Sequence, residues 1–225
     1  AKTVTVVGNA QISTAQSKIG GAAGLFDNAG DYLTTPTHAD FNTMGDYTIE
    51  CFFRATTIAQ DFLFTKLNGS NQVSLYMTAA KKIVFYMDGA SGVIILTGAT
   101  TLSEGVWYHF MGVVSASTGY LFLDGVQDVA SASVTGARAD FNPLLGVYHI
   151  GAGQSTVIAG FIDGYMDEFR FSKIARHTAN FTPPTSAYTW DTDTALLLHC
   201  NGANGSTVFT DDDTIPFTPR IMLIN

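Results

Sequence analysis

Residues 164–172 read Gly-Tyr-Met-Asp-Glu-Phe-Arg-Phe-Ser, and residues 24–33 read Gly-Leu-Phe-Asp-Asn-Ala-Gly-Asp-Tyr-Leu. Residues 165–171 have the period of two residues that predicts a β-strand, and residues 24–33 are a second strand piece that carries the turn residues Asp27, Asn28 and Asp31. Three further segments continue the pattern, namely residues 45–54 (GDYTIECFFR), 107–110 (WYHF) and 120–125 (YLFLDG). The sequence therefore predicts a protein built from strands.

These five segments, in this order, resemble the laminin G-like domains of the concanavalin A-like superfamily. The resemblance covers nearly the whole chain and implies an all-β fold, an antiparallel two-sheet jelly-roll sandwich. We expect one domain over residues 1–200, closed by a strand at 194–200, followed by a C-terminal extension or docking arm at 201–225. The superfamily includes lectins, adhesion modules, enzymes and structural domains, so the function has to be argued from a site.

The runs of alternating residues predict strands, and the segments between them contain Gly, Asn and Asp, which favour tight turns. The predicted strands are 2–7, 47–54, 73–78, 82–87, 106–114, 120–123 and 165–171. The predicted turns are 68–71, 88–89, 117–119 and 124–125. This succession of antiparallel hairpins is typical of a sandwich.

Composition and charge exclude several classes of partner. The chain has 225 residues, of which 46% are hydrophobic and 13% charged, enough apolar material for one large core. The net charge is -8, and the basic residues are scattered apart from Lys81 and Lys82, so we expect no nucleic acid partner. No apolar run approaches the ~20 residues of a membrane span, and no charged and then apolar leader opens the chain, so we expect no membrane partner and no export signal.

Two segments do not fit a regular strand pattern. Residues 174–184 end in two prolines, which exclude a central strand, and we expect this connection to wrap an edge or end of the sandwich. Similar runs follow the matching strand in laminin G-like domains of bacteriophages and environmental bacteria, so the resemblance points to such a source. The strand at 194–200 either closes its own sandwich or pairs with a neighbouring copy.

The two cysteines, Cys51 and Cys200, fall on the apolar faces of their predicted strands. We expect both to be small core residues, because a domain of this size does not need a disulfide. A buried bridge between them remains open, since the sequence does not give their separation. Neither has an evident His partner that would activate it as a nucleophile.

Acidic residues near the turns are candidate calcium ligands, because calcium requires hard oxygen donors. Related β-sandwich modules hold a structural calcium at a sheet edge, and the resemblance places Asp27 and Asp167 in the matching strands. Lesser candidates in adjacent loops are Asp31, Asp46 and Asp163. The alternative is that Asp27 and Asp31 organise a turn through bonds to the backbone.

Catalysis is not expected. The five histidines are dispersed, which disfavours zinc, and no Gly-x-Ser-x-Gly motif marks a nucleophile. Related jelly-roll glycosidases carry paired carboxylates in a Glu-x-Asp-x-x-Glu motif, which is missing here. The chain has Glu50, Glu104 and Glu168, and as neighbours on one strand Asp167 and Glu168 are predicted to face opposite sides.

Sugar binding needs exposed aromatic rings and polar groups. The aromatic candidates are Tyr32, Tyr76, Tyr86, Tyr120, Tyr148, Tyr165 and Trp190, and the sequence singles out no subset.

We therefore predict a non-catalytic structural or adhesion module, a virion accessory or decoration protein of a bacteriophage that also binds carbohydrate. Its expected partners are virion or particle proteins, host surface glycans and further copies of itself, and its expected location is the virion. The alternatives are a lectin-like carbohydrate-binding module of a bacterial cell surface or extracellular protein and, with less support, a glycoside hydrolase.

Overall fold

The computed structural model describes residues 1–41, 45–68, 71–89, 92–133, 148–154 and 158–213. Within these residues the strands form two large antiparallel sheets that enclose one core, which confirms the predicted all-β sandwich. The helical structure described is a short 3-10 helix, Ala39–Phe41. None of the described helical residues forms a segment long and apolar enough to span a membrane.

The first sheet, called the seven-stranded sheet for its described strands, contains in spatial order β1 (Thr5–Val7), β4 (Tyr32–Thr35), β14 (Tyr148–Ile150), β6 (Asp61–Asn68), β7 (Asn71–Met77), β8 (Ile83–Gly89) and β9 (Gly92–Thr97). Its central strands β6 to β9 follow one another along the chain as hairpins, whereas β14 enters from a distant part of the sequence. The pairing of β14 with both β4 and β6 therefore depends on long-range contacts.

The second sheet, called the nine-stranded sheet for its described strands, contains in order β12 (Val126–Gln127), β11 (Thr118–Leu123), β10 (Trp107–Ser115), β5 (Tyr47–Ala55), β17 (Asp163–Ser172), β3 (Ala23–Asp27) and β2 (Gln11–Ser13), with β13 (Ala132–Ser133) beside β11 and β18 (Thr194–Leu198) beside β17. A separate hairpin joins β15 (Gly153–Gln154) to β16 (Ile158–Ala159).

Strand β5 shows how the alternating pattern builds the core. Ile49, Cys51 and Phe53 point inward and belong to the main hydrophobic cluster. Glu50 and Phe52 lie on the outer side, where Phe52 joins a second apolar cluster. The strand is buried on both faces, because the outer side of the nine-stranded sheet is itself covered.

A segment of irregular backbone, residues 173–193, covers that outer side. Ala175 and Phe181 pack against an apolar cluster of β10 and β11. The hydroxyl of Thr48 donates to the carbonyl of Ile174 at 2.8 Å, and the amide of Phe181 donates to the carbonyl of Gly125 at 2.8 Å. Residues 174–184 also reach the edge of the sheet, as predicted, because the amide of Gln127 in the edge strand β12 donates to Asn180 Oδ1 at 2.9 Å. Beyond the prediction, the segment extends over the outer face, whose apolar residues require a cover.

A β-bulge in β17 overturns another prediction. The register shifts between Asp167, opposite Phe52, and Arg170, opposite Glu50, and Glu168 has a φ of 51°. The extra residue breaks the alternation, so Asp167 and Glu168 both turn to the outer side of the nine-stranded sheet. Asp167 accepts the amide of Ile19 there, and Glu168 accepts the amide of Tyr188. The alternation predicted that the two carboxylates face opposite sides of the sheet, and this prediction was wrong.

The C-terminal strand closes the sandwich within the same chain, because β18 pairs with β17. The described residues that follow also pack on the domain. Phe209 joins the main core, and Asp211 is buried and accepts the amides of Lys2 and Leu197. We therefore place residues up to 213 with the sandwich, beyond the predicted boundary at 200. The rest of the predicted docking arm, residues 214–225, lies outside the described residues.

Cys51 and Cys200 are both buried, as expected, and both are free. Cys51 lies in β5 and Cys200 lies two residues after β18, and these two strands lie on opposite sides of β17 in the sheet. Burial raises the pKa of both thiols above the ordinary value, which makes them poor nucleophiles at neutral pH. The disulfide that the sequence left open is not formed.

Candidate functional site

Four side chains on neighbouring strands form a row across the outer face of the seven-stranded sheet. The register places Thr65 between His149 and Ser74, and it places Ser74 opposite Tyr86. Neighbouring strands lie about 4.8 Å apart, so the row is about 14 Å long. The Oγ1 of Thr65 and the Oγ of Ser74 are 3.2 Å apart. We call these four residues the polar row.

The polar row has a buried floor and a more accessible end. Thr65, Ser74 and His149 are buried, whereas Tyr86 is half-buried. The Nε2 of Gln72 donates to Ser74 Oγ at 2.7 Å. The hydrogen-bonding groups that a ligand can reach are therefore those of Gln72 and Tyr86, at one end of the row.

Aromatic rings flank the polar row on one side. Phe62 and Tyr76 are stacked, with ring centroids 4.8 Å apart and an interplanar angle of 26°. Tyr32 stacks on Phe161 at 6.1 Å and approaches the ring of His149 at 5.4 Å. Tyr76 is half-buried, so part of its ring is accessible to a ligand. Rings beside hydroxyl and amide groups are the combination that binds sugars.

Two glycines hold the stacked pair in place. A Cβ at Gly153 would lie 2.5 Å from the ring of Phe62, and one at Gly160 would lie 2.8 Å from the carbonyl oxygen of Gln60. Gly160 also has a φ of 65°, in the left-handed region that favours glycine. The hairpin of β15 and β16 therefore approaches Phe62 closely and supports the ring on which Tyr76 stacks.

We define the sheet face by its described outward side chains: Thr34, His149, Thr65, Ser74, Tyr86 and Ile95 along the centre; Tyr32, Phe62, Tyr76, Val84 and Thr97 on one side; Leu67, Gln72, Asp88 and Val93 on the other. Of these residues, Asp88 has a formal charge at neutral pH. Lys82, two residues before Val84, continues the same face: its carbonyl accepts the amide of Thr78, and its Nζ donates to Thr101 Oγ1 at 2.8 Å. The Oδ2 of Asp88 accepts the Tyr86 hydroxyl at 3.4 Å. Burial and the neighbouring Asp88 raise the pKa of Tyr86, which stays protonated.

His149 is neutral and incompletely bonded. Burial lowers the pKa of His149 below its ordinary value, because the charged imidazolium is disfavoured away from water. Its Nδ1 is buried without a hydrogen-bond partner. A buried polar atom left in this state costs about 1–3 kcal/mol.

The predicted metal residues Asp27 and Asp167 are far apart. Asp163 is opposite Asp27 in the pairing of β17 with β3, and Asp167 lies four residues further along β17, about 13 Å away. One ion cannot bind both. Within the described residues, no group of three His, Cys, Asp or Glu is arranged to hold a metal ion.

The carboxylates of Asp27 and Asp31 accept hydrogen bonds from residues of the same turn and from Asn9. Asp27 accepts the amide of Ala29 at 2.9 Å and the side chain of Asn9 at 3.0 Å. These bonds lower the pKa of Asp27, and the bond from the Asn9 side chain has the largest effect. Asp31 is buried and accepts the amides of Asn9 at 2.6 Å and of Asp27 at 3.2 Å. The turn that the sequence offered as the alternative is therefore present.

The two remaining candidates also accept hydrogen bonds, and they lie apart: Asp163 is the first residue of β17, and Asp46 directly precedes β5. Asp163 accepts the hydroxyl of Thr57 at 2.6 Å, and Asp46 accepts the amide of Ala116 at 2.8 Å. Two opposed carboxylates, Asp27 and Asp163, do not supply the six or more oxygens that calcium requires. The described residues do not fit a complete calcium site, and calcium binding stays a prediction.

Asp167 is a buried carboxyl with an unusual environment. Its Oδ2 accepts the amides of Lys18 and Ile19, both at 2.9 Å, while its Oδ1 has no hydrogen-bond partner. Burial raises the pKa of Asp167 to about 6, although the two amides oppose the change and Glu168 adds to it. The residue has no exposed surface through which a metal or a substrate would reach it.

Two glutamates on adjacent strands of the nine-stranded sheet, Glu50 and Glu168, are buried. Both carboxylates accept hydrogen bonds. Arg170 Nε donates to Glu50 Oε1 at 2.8 Å, and the Tyr188 hydroxyl donates to Glu50 Oε2 at 3.1 Å. The amide of Tyr188 donates to Glu168 Oε2 at 2.8 Å. Tyr188 belongs to the covering segment, so this pair joins the segment to the sheet and leaves no cleft for a sugar.

A pocket of about 290 Å³ lies near the C-terminal end of β18. Its polar groups already bind one another or the protein: His199 Nε2 is 3.0 Å from Asp212 Oδ2, and Asp211 bonds to Lys2. We therefore regard the sheet face as the better candidate for ligand binding.

Sequence reasoning named three residues of this face, Tyr32, Tyr76 and Tyr86, within a larger set of aromatic candidates. It missed the polar row, because Thr65, Ser74 and His149 are brought together by strand register and share no sequence motif. Tyr148, another candidate, points into the core and stacks on Phe41 at 4.1 Å. The alternation in 73–87 predicted which residues share a face, but not which strands are neighbours.

The solved structures that resemble this chain have the same fold at low sequence identity. The tailspike protein 2 enzymatically active domain of bacteriophage CBA120 matches with a TM-score of 0.56 and 16% identity, over 77% of this chain and 29% of that chain. Domain 4 of AbnA, a GH43 extracellular arabinanase of Geobacillus stearothermophilus solved with arabinotriose, matches with a TM-score of 0.56 and 14% identity, over 77% and 82%. The CBM40 of the Ruminococcus gnavus IT-sialidase matches with a TM-score of 0.53 and 16% identity, over 62% and 82%.

The chain thus spans less than a third of the tailspike domain and most of the two smaller modules. At these identities the likeness shows the fold alone. A search of the curated proteins found no match. A sequence model of the concanavalin A-like lectin/glucanases superfamily matches residues 27–180, more than half of the chain, and the protein therefore belongs to this superfamily.

Proposed function

We propose that this protein is a non-catalytic carbohydrate-binding module that binds glycans on the outer face of the seven-stranded sheet. The observation that carries the proposal is the accessible end of the polar row, where Gln72, Tyr76 and Tyr86 are half-buried. The side chains of Gln72 and Tyr86 would contact sugar hydroxyls, while the ring of Tyr76 would stack on a pyranose face. The AbnA domain solved with arabinotriose and the CBM40 of a sialidase have the same fold and support the class of ligand.

Within this class, we propose a role on a particle or cell surface. The resemblance to laminin G-like domains of bacteriophages and the fold shared with a tailspike favour a virion accessory that attaches to host glycans. The alternative is a module of a bacterial cell surface or extracellular protein. Electron microscopy of the native particle, with antibody against this chain, distinguishes the two locations.

Glycan binding is tested on an array of bacterial and animal oligosaccharides, followed by titration calorimetry with the best neutral and acidic probes. Tyr76→Ala and Tyr86→Ala should each weaken binding roughly tenfold, because an aromatic contact contributes about 0.5–1.5 kcal/mol. The matched control is Tyr165→Ala, a half-buried tyrosine on the nine-stranded sheet, which should bind normally. Absence of binding to every probe, or equal loss in all three variants, would contradict the proposal.

A further inference from the structure

Arg54 lies on the outer side of the nine-stranded sheet and is half-buried. The pairing of β5 with β10 places it directly opposite Trp107, another half-buried residue. The guanidinium lies against the loop before β10, because a Cβ on Gly105 would be 3.4 Å from Arg54 Nη2. Directly opposed side chains of an antiparallel pair have Cβ atoms about 4.5–5.5 Å apart. A cation and an indole ring therefore lie side by side at this end of β5.

Arg54 has no ion pair with any described residue. Two acidic residues in adjoining segments form other bonds: Glu104 pairs with Lys81 at 3.0 Å, and Asp163 accepts the hydroxyl of Thr57 at 2.6 Å. A guanidinium that is partly removed from water is stabilised by a carboxylate, which it binds through two parallel N–H···O bonds. Arg54 is therefore available to bind the carboxylate of a ligand.

Arg54 and Trp107 lie at the margin of the covering segment, residues 173–193. Phe52, the next outward residue of β5, is buried in the apolar cluster that joins this segment to the sheet. Trp107 and Trp190 both pack against this cluster, and both rings remain partly accessible. The margin therefore offers an indole beside the cation, on which the apolar face of a ligand can stack.

A second cation lies near this margin. The Nζ of Lys18, an exposed residue, is 5.4 Å from the centre of the Phe52 ring. Asp167, which is opposite Phe52 in β17, has no exposed surface, and its Oδ2 accepts the amides of Lys18 and Ile19. Arg54 and Lys18 favour an anionic ligand here even though the chain carries a net charge of -8, because distant charges are screened by salt.

The geometry fits a ligand whose carboxylate is attached to a sugar ring. A uronic acid carries its carboxylate on the carbon bonded to the pyranose ring, so one sugar unit presents an anion and an apolar ring face side by side. Arg54 would bind the carboxylate and Trp107 would stack on the ring. The carboxylate of an acidic peptide has no such ring beside it, so a peptide would use the cation and leave the indole without a stacking partner.

We infer that the margin of the covering segment is a second ligand site, which binds glycans containing uronic acid through the Arg54 guanidinium and the Trp107 indole. The site lies on the opposite sheet from the sheet face and does not depend on glycan binding there. Carboxylated probes therefore report on this margin, whereas neutral probes report on the sheet face.

The test uses trigalacturonate and, as the neutral counterpart, a galactose trimer of the same linkage. The chain has two tryptophans, so Trp107 is the single fluorescent indole in Trp190→Phe. Trigalacturonate should change its emission saturably, and the neutral trimer should not. By titration calorimetry, Arg54→Gln should weaken trigalacturonate binding by about tenfold or more, because it removes a bidentate charge-assisted contact. Arg54→Lys, which keeps the charge without the planar fork, should recover part of the affinity.

The matched control is Lys82→Gln, which makes the same charge change on the sheet face and should leave trigalacturonate binding unaltered. Melting temperatures establish that each variant is folded. An equal loss in Lys82→Gln, no binding of trigalacturonate, or equally tight binding of the neutral trimer to this margin overturns the inference. Binding of hexaglutamate with the same affinity and the same dependence on Arg54 also overturns it, because charge alone would then decide. These outcomes leave neutral glycan binding at the sheet face untouched, since Tyr76→Ala tests that separately.

Discussion

The imidazole of His199 lies between two carboxylates from distant parts of the chain. Its Nδ1 is 2.8 Å from Glu168 Oε1 in β17, and its Nε2 is 3.0 Å from Asp212 Oδ2. Both ring nitrogens face acceptors, so the geometry favours the doubly protonated ring. The charged ring thereby joins the bulge of β17 to the segment that follows β18.

This arrangement predicts that the protein loses stability as pH rises through the pKa of His199. The hydrogen bond to Glu168 makes the largest contribution to raising the pKa of His199 above the ordinary value of 6.5. A raised histidine pKa contributes stability that is fully present below pH 6.5 and is lost as pH rises through the folded value. Melting temperature measured from pH 6 to pH 9 should fall, and His199→Gln should remove that part of the fall.

His199→Gln should also destabilise the protein by about 2–4 kcal/mol at pH 6, because it leaves the buried Glu168 without its cation. The control is His38→Gln, an exposed histidine beside Asp40, which should change the unfolding free energy little. An identical pH profile for wild type and His199→Gln would show that His199 does not hold these segments together.

Asp167→Asn should stabilise the protein at pH 8. The folded pKa of about 6 lies above the unfolded value of 3.8, so the charged form is disfavoured in the folded state and stability from this group rises as pH falls below 6. Asparagine removes the buried charge and keeps an acceptor for the amides of Lys18 and Ile19. Urea unfolding should show a gain of about 1–3 kcal/mol at pH 8 and a smaller gain at pH 4. Asp167→Ala, which also removes the acceptor, should not reproduce the gain, and a loss of stability in Asp167→Asn at pH 8 would refute the prediction.

Calcium binding is tested at Asp27, the exposed one of the two sequence-predicted ligands. If Asp27 helps to hold calcium, 5 mM CaCl₂ should raise the melting temperature and EDTA should reverse the change, because a ligand that binds the folded state stabilises it. Asp27→Asn should abolish the response, while Asp46→Asn, a change in another loop, should keep it. An unchanged melting temperature in CaCl₂ and in EDTA rules out a stabilising site.

The protein should release no reducing ends from laminarin, lichenan or agarose. Glu50 and Glu168 are buried and bonded to Arg170, Tyr188 and His199, so neither is available to protonate or attack a glycosidic bond. For Glu50, burial alone would raise the pKa, but the hydrogen bond from His109 and the charge of Arg170 lower it to about 2. Turnover that disappears in Glu168→Gln, with folding intact, would reverse the conclusion.

The sequence predicted local structure well where the alternation of residues is regular. The strands expected at 47–54, 82–87 and 165–171 correspond to β5 (Tyr47–Ala55), β8 (Ile83–Gly89) and β17 (Asp163–Ser172). The bulge at Glu168 could not be predicted, because an inserted residue changes the face of a side chain without changing its neighbours in sequence. That single insertion invalidated the expected orientation of Asp167 and Glu168.

The candidate site was less predictable than the fold. The polar row needs β14 to pair with β6 across more than 80 residues of sequence, and no local pattern at His149 indicates that pairing. The cover over the nine-stranded sheet was predictable in part, since the outward residues Phe52 and Phe122 are apolar and need burial. Register between distant strands is decided by tertiary packing, which a single sequence does not display.

The most direct test of glycan binding at the sheet face is a titration of the ¹⁵N-labelled protein with the tightest-binding neutral oligosaccharide from the array, followed by amide chemical shifts. The account predicts that the largest shifts fall on β7 and β8, around Ser74, Tyr76 and Tyr86, and on His149. Saturable shifts confined to the nine-stranded sheet or to the turn at Asp27, with β7, β8 and β14 unchanged, would contradict it.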